Sequence, residues 1–237
     1  MKLVHRVLPT LAVALTALPA AAQQMPAPTP APVAANATTY VVTILETGAP
    51  DAAKAAAMLR RLAAASRKEA GNEGYLALRE RGRPGRFAIL ETWRDKAALD
   101  GHESAAKATE ERLQPLLVAP PDRRVCSGLD VAAHGAGAPG PRAIYVLTHI
   151  DVIPPKKDEA IGLLKVLVPQ SRRDTGNERF DVLQQASRPN HSFLVEVWRD
   201  RTARNAYVMA EHTRAFRGKL LPLQGSLYDE RLYEPIR

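Results

Sequence analysis

The pattern of apolar and polar residues along the chain predicts a series of strands and helices, and the same series occurs twice. Each copy opens on a short apolar run rich in β-branched residues, YVVTILE at 40–46 and YVLTHID at 145–151, which predicts a strand. Apolar residues then recur at the i, i+3, i+4, i+7 spacing of an amphipathic helix, which Gly71 and Gly176 are predicted to end. The stripe comprises Ala55, Met58, Leu59 and Leu62 in the first copy and Ala160, Leu163, Leu164 and Leu167 in the second.

Two further strands and a second helix follow in each copy. The strands flank an Arg-Pro turn, at Arg83-Pro84 and at Arg188-Pro189. Asp95 and Asp200 then stand where a carboxylate can cap the first turn of a helix. Closing strands are predicted at 123–131 and 226–234.

The two copies are an internal repeat at a constant offset of 105 residues. This offset relates Tyr40 to Tyr145, and it matches the segments Gly71-Asn72-Glu73 and Trp93-Arg94-Asp95 to identical segments of the second copy. Beyond residue 107 the register blurs, and matching Pro115 to Pro222 requires an offset of 107.

The element order βαββαβ, written twice, predicts an α+β fold of two ferredoxin-like modules. One such module covers a single face of its sheet with helices and leaves the other face bare. Two copies in one chain are therefore expected to bury their bare faces together as one pseudo-twofold α+β barrel, an intramolecular pseudo-dimer whose further association stays open.

The remaining segments predict export and flexible connections. Residues 1–22 have the basic start, apolar run and small-residue end of a secretory signal, cleaved after Ala22, so we expect a periplasmic or secreted protein without membrane attachment. Residues 23–38 form a Pro/Ala tether, and residues 133–142 form a Gly/Pro linker. The predicted modules occupy 39–132 and 143–237.

Composition excludes several classes of function. The formal charge of +8 is spread along the chain, and aromatic residues make up only 5%, which argues against a nucleic-acid groove. No motif has metal-ligand spacing, and the GxGxxG of Gly135, Gly137 and Gly140 leads into a strand rather than a helix. The single cysteine, Cys126, cannot form an internal disulfide and is expected to be buried.

Several motifs resemble the antibiotic biosynthesis monooxygenase family of dimeric α+β barrels. In the first copy they are GNEGY at 71–75, LETWRD at 90–95 and ALDGHESA at 98–105. In the second they are GNERF at 176–180, VEVWRD at 195–200 and the more divergent ARNAYVMAEH at 203–212. The resemblance implies a small-molecule pocket between sheet and helices in each half. Members of this family include cofactor-free oxygenases of phenols or quinols, haem-degrading enzymes and proteins without assigned activity. The fold therefore does not fix the reaction.

Glu91 and Trp93 are two residues apart on one strand and should face the same side of the sheet. Either Trp93 is a wall against the substrate and Glu91 is a nearby base, or Trp93 is an anchor of the hydrophobic core. Glu196 and Trp198 repeat this pair in the second copy. Asn72 matches an asparagine used by family oxygenases, although Gly-Asn also ends helices without any ligand, and the same choice applies to Asn177.

His102 is the candidate base, because its helical spacing turns it toward the core and it titrates near neutral pH. It either lines the pocket or is a satisfied buried histidine. The second copy has Tyr207 at this position and His212 five residues later, so the two pockets are not expected to be equivalent. Tyr75 and Phe180, from the GNEGY and GNERF motifs, complete the candidate substrate contacts.

The leading hypothesis is an exported, cofactor-independent monooxygenase that deprotonates a small aromatic or quinol-type substrate and lets the anion reduce O₂. In it His102 takes the proton, Asn72 stabilises the oxyanion, Trp93 holds the ring and Glu91 orients or assists His102. O₂ is the co-substrate, and no other cofactor is expected. The alternative is a non-catalytic, stress-related module that binds small hydrophobic ligands, and haem degradation is a weaker third reading.

Overall fold

Both predicted βαββαβ copies are present in the computed structural model of the chain, which describes residues 37–132 and 139–236. The first half comprises β1 (Thr39–Glu46), α1 (Ala52–Ser66), β2 (Asn72–Glu80), β3 (Arg86–Trp93), α2 (Lys96–Leu113) and β4 (Asp122–Asp130). The second comprises β5 (Ile144–Asp151), α3 (Lys157–Ser171), β6 (Asn177–Gln185), β7 (His191–Trp198), α4 (Arg201–Met209), α5 (Glu211–Leu220) and β8 (Asp229–Pro235). The predicted signal segment, nearly all of the tether and residues 133–138 of the linker lie outside the described residues.

The eight strands form one closed antiparallel barrel in the order β1-β3-β2-β8-β5-β7-β6-β4. Each half contributes four neighbouring strands, and its last strand pairs with the other half, β4 with β6 and β8 with β2. Closure leaves no strand edge unpaired, which removes the edges at which sheets aggregate. The predicted pseudo-twofold α+β barrel is therefore confirmed.

Apolar side chains of both halves meet inside this barrel. One buried cluster contains Tyr40 and Leu90 of the first half together with Tyr145 and Val195 of the second. Residues on the outer faces instead pack under the helices of their own half, in two separate clusters. Because side chains alternate along a strand, each strand serves the shared interior with one face and its own helices with the other.

Three helices differ from the predictions. The first helix of each half ends at Ser66 or Ser171, five residues before the glycine, which instead turns the chain into the next strand. The second helix of the second half is broken at Ala210, whose ψ of 146° is extended. Two extra residues explain this break: Thr43 pairs with Arg123 and Thr148 pairs with Glu230, so the repeat offset has grown from 105 to 107 beyond it.

The predicted helix caps are confirmed. The Asp95 carboxylate accepts a hydrogen bond from the Ala98 backbone at 2.8 Å, and Asp200 accepts the equivalent bond from Ala203 at 2.9 Å. Cys126 is buried, as predicted, and burial raises the pKa of its thiol to about 12, so it is not a reactive nucleophile. Across the described part of the chain, no helix combines the length and apolarity needed to span a bilayer.

Gly71 is expected to be required for the turn into β2. Its φ of +82° is strained for any other residue, and a Cβ there would lie 2.6 Å from the Ala98 Cβ. We therefore expect Gly71→Ala to lower the free energy of unfolding by about 1–3 kcal/mol, measured by urea denaturation.

Gly101 is a matched control in the same half, because a Cβ there meets nothing within 4 Å and the residue is inside α2. Gly101→Ala should be neutral or stabilise the protein by up to about 1 kcal/mol. Equal destabilisation by both variants would contradict this account of Gly71.

Candidate active site

Glu91, Trp93 and His102 form one buried cluster on the helix-facing side of the first half. The Trp93 indole Nε1 donates a hydrogen bond to Glu91 Oε2 at 2.8 Å, so the two side chains share a face as predicted. The His102 ring, from α2, stacks on Trp93 with ring centroids 4.7 Å apart. Exposure of the three residues is 5%, 0% and 4%, so this is a desolvated site.

His102 is held between two carboxylates. Its Nδ1 lies 2.9 Å from Glu69 Oε2, and its Nε2 lies 3.7 Å from Glu91 Oε2. In the neutral ring, Nδ1–H donates to Glu69, which leaves the lone pair of Nε2 directed toward Glu91. The arrangement can therefore pass a proton from Glu91 to His102 once the two atoms move closer together.

An inner cavity of about 260 Å³ lies between the sheet and α2. Glu91, Tyr75 and Arg123 are among its polar lining residues, whereas His102 and Trp93 are not among the residues that line it. Apolar side chains such as Leu45, Leu62, Ile89 and Leu113 supply most of its remaining wall. Glu91 thus lines the inner cavity, whereas His102 contacts Glu91 from outside it.

Burial changes the protonation of the groups at this cavity. Desolvation raises the pKa of Glu91, opposed by the hydrogen bond from Trp93 and by the nearby His102. Desolvation and the adjacent Glu91 also raise the pKa of Tyr75, whose ring meets His102 edge-on at 5.6 Å. Tyr75 therefore remains a neutral hydroxyl, while Glu91 is a stronger base than a solvated carboxylate.

Asn72 lies beside this cluster and lines a second, larger cavity rather than the inner one. The strand register places it opposite Trp93, and its amide Nδ2 is buried without a hydrogen-bond partner among the described residues. The equivalent residue, Asn177, donates from Nδ2 to the Arg179 carbonyl at 3.2 Å. Only the first half therefore has a spare buried donor here.

The second half keeps the architecture of the cluster but not its histidine. Trp198 donates to Glu196 at 2.8 Å, and Tyr207 stacks on Trp198 with centroids 4.6 Å apart. Phe180 meets the Tyr207 ring edge-on at 5.7 Å, in the place of Tyr75. Burial raises the pKa of Tyr207, so this half has no base at the position of His102.

His212 does not replace His102. Its Nε2 lies 3.0 Å from Asp174 Oδ2, and its ring is 6.0 Å from that of Tyr207. It lines a groove between α3 and α5 together with Leu163 and Phe216. Since Asp174 is the repeat equivalent of Glu69, the acid–histidine pair survives in both halves, although the second histidine faces a different space.

In the second half, paired charged groups stand at the place that corresponds to the inner cavity. By the offset of 107, Arg217 and Glu230 correspond to Glu110 and Arg123, so the two charges are exchanged. Arg217 and Glu230 pair at 2.6 Å, and Arg204 also pairs with Glu230. In the first half Arg123 pairs instead with Glu103, at 2.7 Å, and Glu110 and Arg123 both line the open cavity.

Sequence reasoning missed Glu69, Glu110 and Arg123. Each lies far along the chain from Trp93, so no local motif joins them to it. The repeat itself carried a signal for Glu69, because an acid recurs at Asp174. Within the residues that the structure describes, no group of three His, Cys, Asp or Glu side chains is arranged to hold a metal ion.

Comparison with known proteins agrees with this duplicated architecture. The profile of the family described as "Antibiotic biosynthesis monooxygenase" matches residues 39–110 and again residues 143–219. The chain belongs to the antibiotic biosynthesis monooxygenase family. One match therefore falls on each half of the barrel.

Sequence identity between this family member and the following relatives is low. The "Putative monooxygenase YcnE" of Bacillus subtilis (strain 168) is 28% identical over 76 residues, which cover 32% of this chain and 80% of that protein. A crystal structure of a "Putative monooxygenase" from Fusobacterium nucleatum matches with a TM-score of 0.76 at 15% identity, over 85% of this chain and 93% of that one. Another, from Lactobacillus acidophilus, matches with a TM-score of 0.69 at 14% identity, over 85% and 95%. These structural matches span both halves and support the fold.

Proposed function

We propose that the first half is a cofactor-independent monooxygenase that acts on a small aromatic or quinol-type substrate with O₂. The observation that carries this proposal is the placement of the buried Glu91 on the wall of the inner cavity, with His102 adjacent to Glu91 and Glu69 adjacent to His102. A carboxylate with a raised pKa and a second acceptor behind it is suited to removing a proton from a weak carbon or phenolic acid.

The reaction needs no external reductant. Glu91 accepts a proton from the substrate, and His102 stabilises the resulting carboxylic acid or takes the proton onward. The substrate anion transfers electrons to O₂; one oxygen atom enters the substrate carbon as a carbonyl, and the other leaves as water with the two hydrogens of that carbon. The anion is the electron source, so the protein has only to create and shield it.

Trp93 and Asn72 support this chemistry. Trp93 holds Glu91 by a hydrogen bond and His102 by stacking, which fixes both in one geometry. The Nδ2 of Asn72, buried and without a hydrogen-bond partner among the described residues, is the proposed donor for an oxyanion that extends past Trp93 from the inner cavity. In this proposal Glu91 meets the substrate, whereas the sequence hypothesis gave that position to His102.

Oxygen uptake with a panel of anthrones, naphthoquinols and catechols tests the proposal. We expect uptake by the wild-type protein that matches the amount of oxidised product, and loss of most of this uptake in His102→Ala. Absence of uptake with every compound, or unchanged uptake in the variant, would contradict the mechanism. Circular dichroism of the variant checks that the fold is retained.

Non-catalytic ligand binding is the second candidate, and the second half favours it over catalysis, since Tyr207 stands where the first half has the histidine. Native mass spectrometry distinguishes the two functions: a retained ligand that never yields product, in air or without it, supports binding. Haem degradation would require a Soret shift on haem titration. Export to the periplasm or medium stays a proposal, because the predicted signal lies outside the described residues.

A further inference from the structure

A second and larger cavity lies inside the barrel, on the opposite face of the sheet from the inner cavity. It occupies about 980 Å³ at the barrel end where β1 and β5 begin, and we refer to it as the mouth cavity. Tyr40 and Tyr145, which are equivalent residues of the two halves, both line it. A cavity of this size between two modules is typical of a small-molecule site.

On the second half's side of the mouth cavity, the arginines are paired with the protein's own carboxylates, and Arg179 is itself a lining residue. Arg179 Nε binds the fully buried Asp181 carboxylate at 2.7 Å. Arg172 lies 3.8 Å from the same carboxylate and pairs with Asp130 at 2.8 Å. The second half thus supplies both a carboxylate and the side chains that enclose it.

The first half lacks these groups. Gly74 stands at the position of Arg179, and Leu76 stands at the position of Asp181. A Cβ on Gly74 would meet only Thr92, at 3.5 Å, so the space is open. Because glycine and leucine stand where the second half has arginine and aspartate, the first half has a hollow with a largely apolar wall.

Arg67 remains at the rim of this hollow. Its Nε donates to the Tyr75 carbonyl at 2.9 Å, as Arg172 donates to the Phe180 carbonyl at 2.9 Å. Unlike Arg172, Arg67 has no carboxylate partner among the described residues. Its guanidinium is exposed at the cavity, and its terminal nitrogens are available to a ligand.

We propose that the mouth cavity binds a small amphipathic carboxylate. Its carboxylate pairs with Arg67, as Asp130 and Asp181 do with Arg172, and its apolar body packs against Leu76 and Leu90. Two exposed rim acids, Glu73 and Glu178, favour a single negative charge on the ligand over two. This site shares Tyr75 with the inner cavity and includes Asn72, the proposed oxyanion donor, whereas Glu91 and His102 do not line it.

Calorimetric titration of the mature chain with decanoate tests this site, with decanol as the probe that has the same apolar body without the charge. We expect decanoate to bind at one site per chain, and decanol to bind about tenfold more weakly or not at all. Arg67→Gln should reduce the affinity for decanoate to that for decanol. Because Arg67 is exposed, this variant should fold normally.

The second half itself suggests a variant that fills the cavity. Gly74→Arg combined with Leu76→Asp copies Arg179 and Asp181 into the first half and should abolish decanoate binding. Glu91→Gln should bind decanoate like the wild type, so failure of the oxygenase proposal leaves this test unaffected. Equal affinity for decanoate and decanol, no binding of decanoate, or unchanged binding in Arg67→Gln would overturn the proposal.

Discussion

Glu91→Gln is expected to lower oxygen-dependent turnover by about 100-fold or more, whereas the same substitution at Glu196 should leave turnover unchanged. Glutamine keeps the size of the side chain and can still accept the Trp93 hydrogen bond, but it cannot take a proton. Glu196 has the equivalent bond to Trp198 and is 1% exposed, yet it lies beside Tyr207 instead of a histidine. The two glutamates are therefore a matched pair within one chain.

Steady-state oxygen consumption, measured at saturating substrate, compares the two variants directly. Equal losses in both would mean that the glutamates act in folding or that both halves are catalytic. A loss confined to Glu196→Gln would assign the reaction to the second half. Measurement of KM alongside kcat separates a chemical role of Glu91 from a role in substrate binding.

Glu196→Gln is expected to stabilise the protein at pH 8 by about 2–3 kcal/mol more than at pH 5. Desolvation raises the pKa of Glu196 to about 7 in the folded protein, although Arg204 and Arg217 are near. Between the unfolded pKa near 4.5 and the folded value, the folded state holds a proton that the unfolded state has released. The free energy of unfolding of the wild type therefore falls as pH rises through this interval. Glutamine does not titrate, so the variant does not show this fall.

Urea denaturation of wild type and variant at several pH values measures this difference. Subtracting the two free energies of unfolding removes the contribution of the groups that titrate equally in both proteins. Glu159→Gln, which replaces a solvated carboxylate on α3, is the control and should show no such trend. A stability difference that does not change with pH would show that Glu196 is ionised in the folded protein. Proton uptake on folding would then have to come from other residues.

Much of the fold was predictable because its helices and strands depend on the spacing of apolar residues and on capping residues that are close together in the sequence. The i, i+3, i+4, i+7 stripe located α1 and α3, and the residue types at Asp95 and Asp200 identified the helix starts. The break at Ala210 was not predictable from propensity: the sequence showed the offset growing from 105 to 107 by Pro222, but only the structure places the helix break at Ala210. The pairing of β4 with β6 joins segments without any shared motif.

The candidate site was predictable in part for the same reason. Glu91 and Trp93 are neighbours on one strand, and alternation alone places them together. Glu69 and Arg123 reach the site from a loop and from the closing strand, so their positions depend on the tertiary fold. His102 was placed in the core correctly, but only packing could show that Glu91 stands between it and the inner cavity.

The exchange of strands between the halves within one polypeptide also bears on how such a protein diverges. In a barrel assembled from two identical chains, every substitution appears twice, once on each side of the axis. Here a mutation alters one half alone. One half can therefore lose side-chain volume and form a ligand cavity, while the other keeps its internal ion pairs. Fusion thus turns a symmetric scaffold into one whose sides can specialise independently.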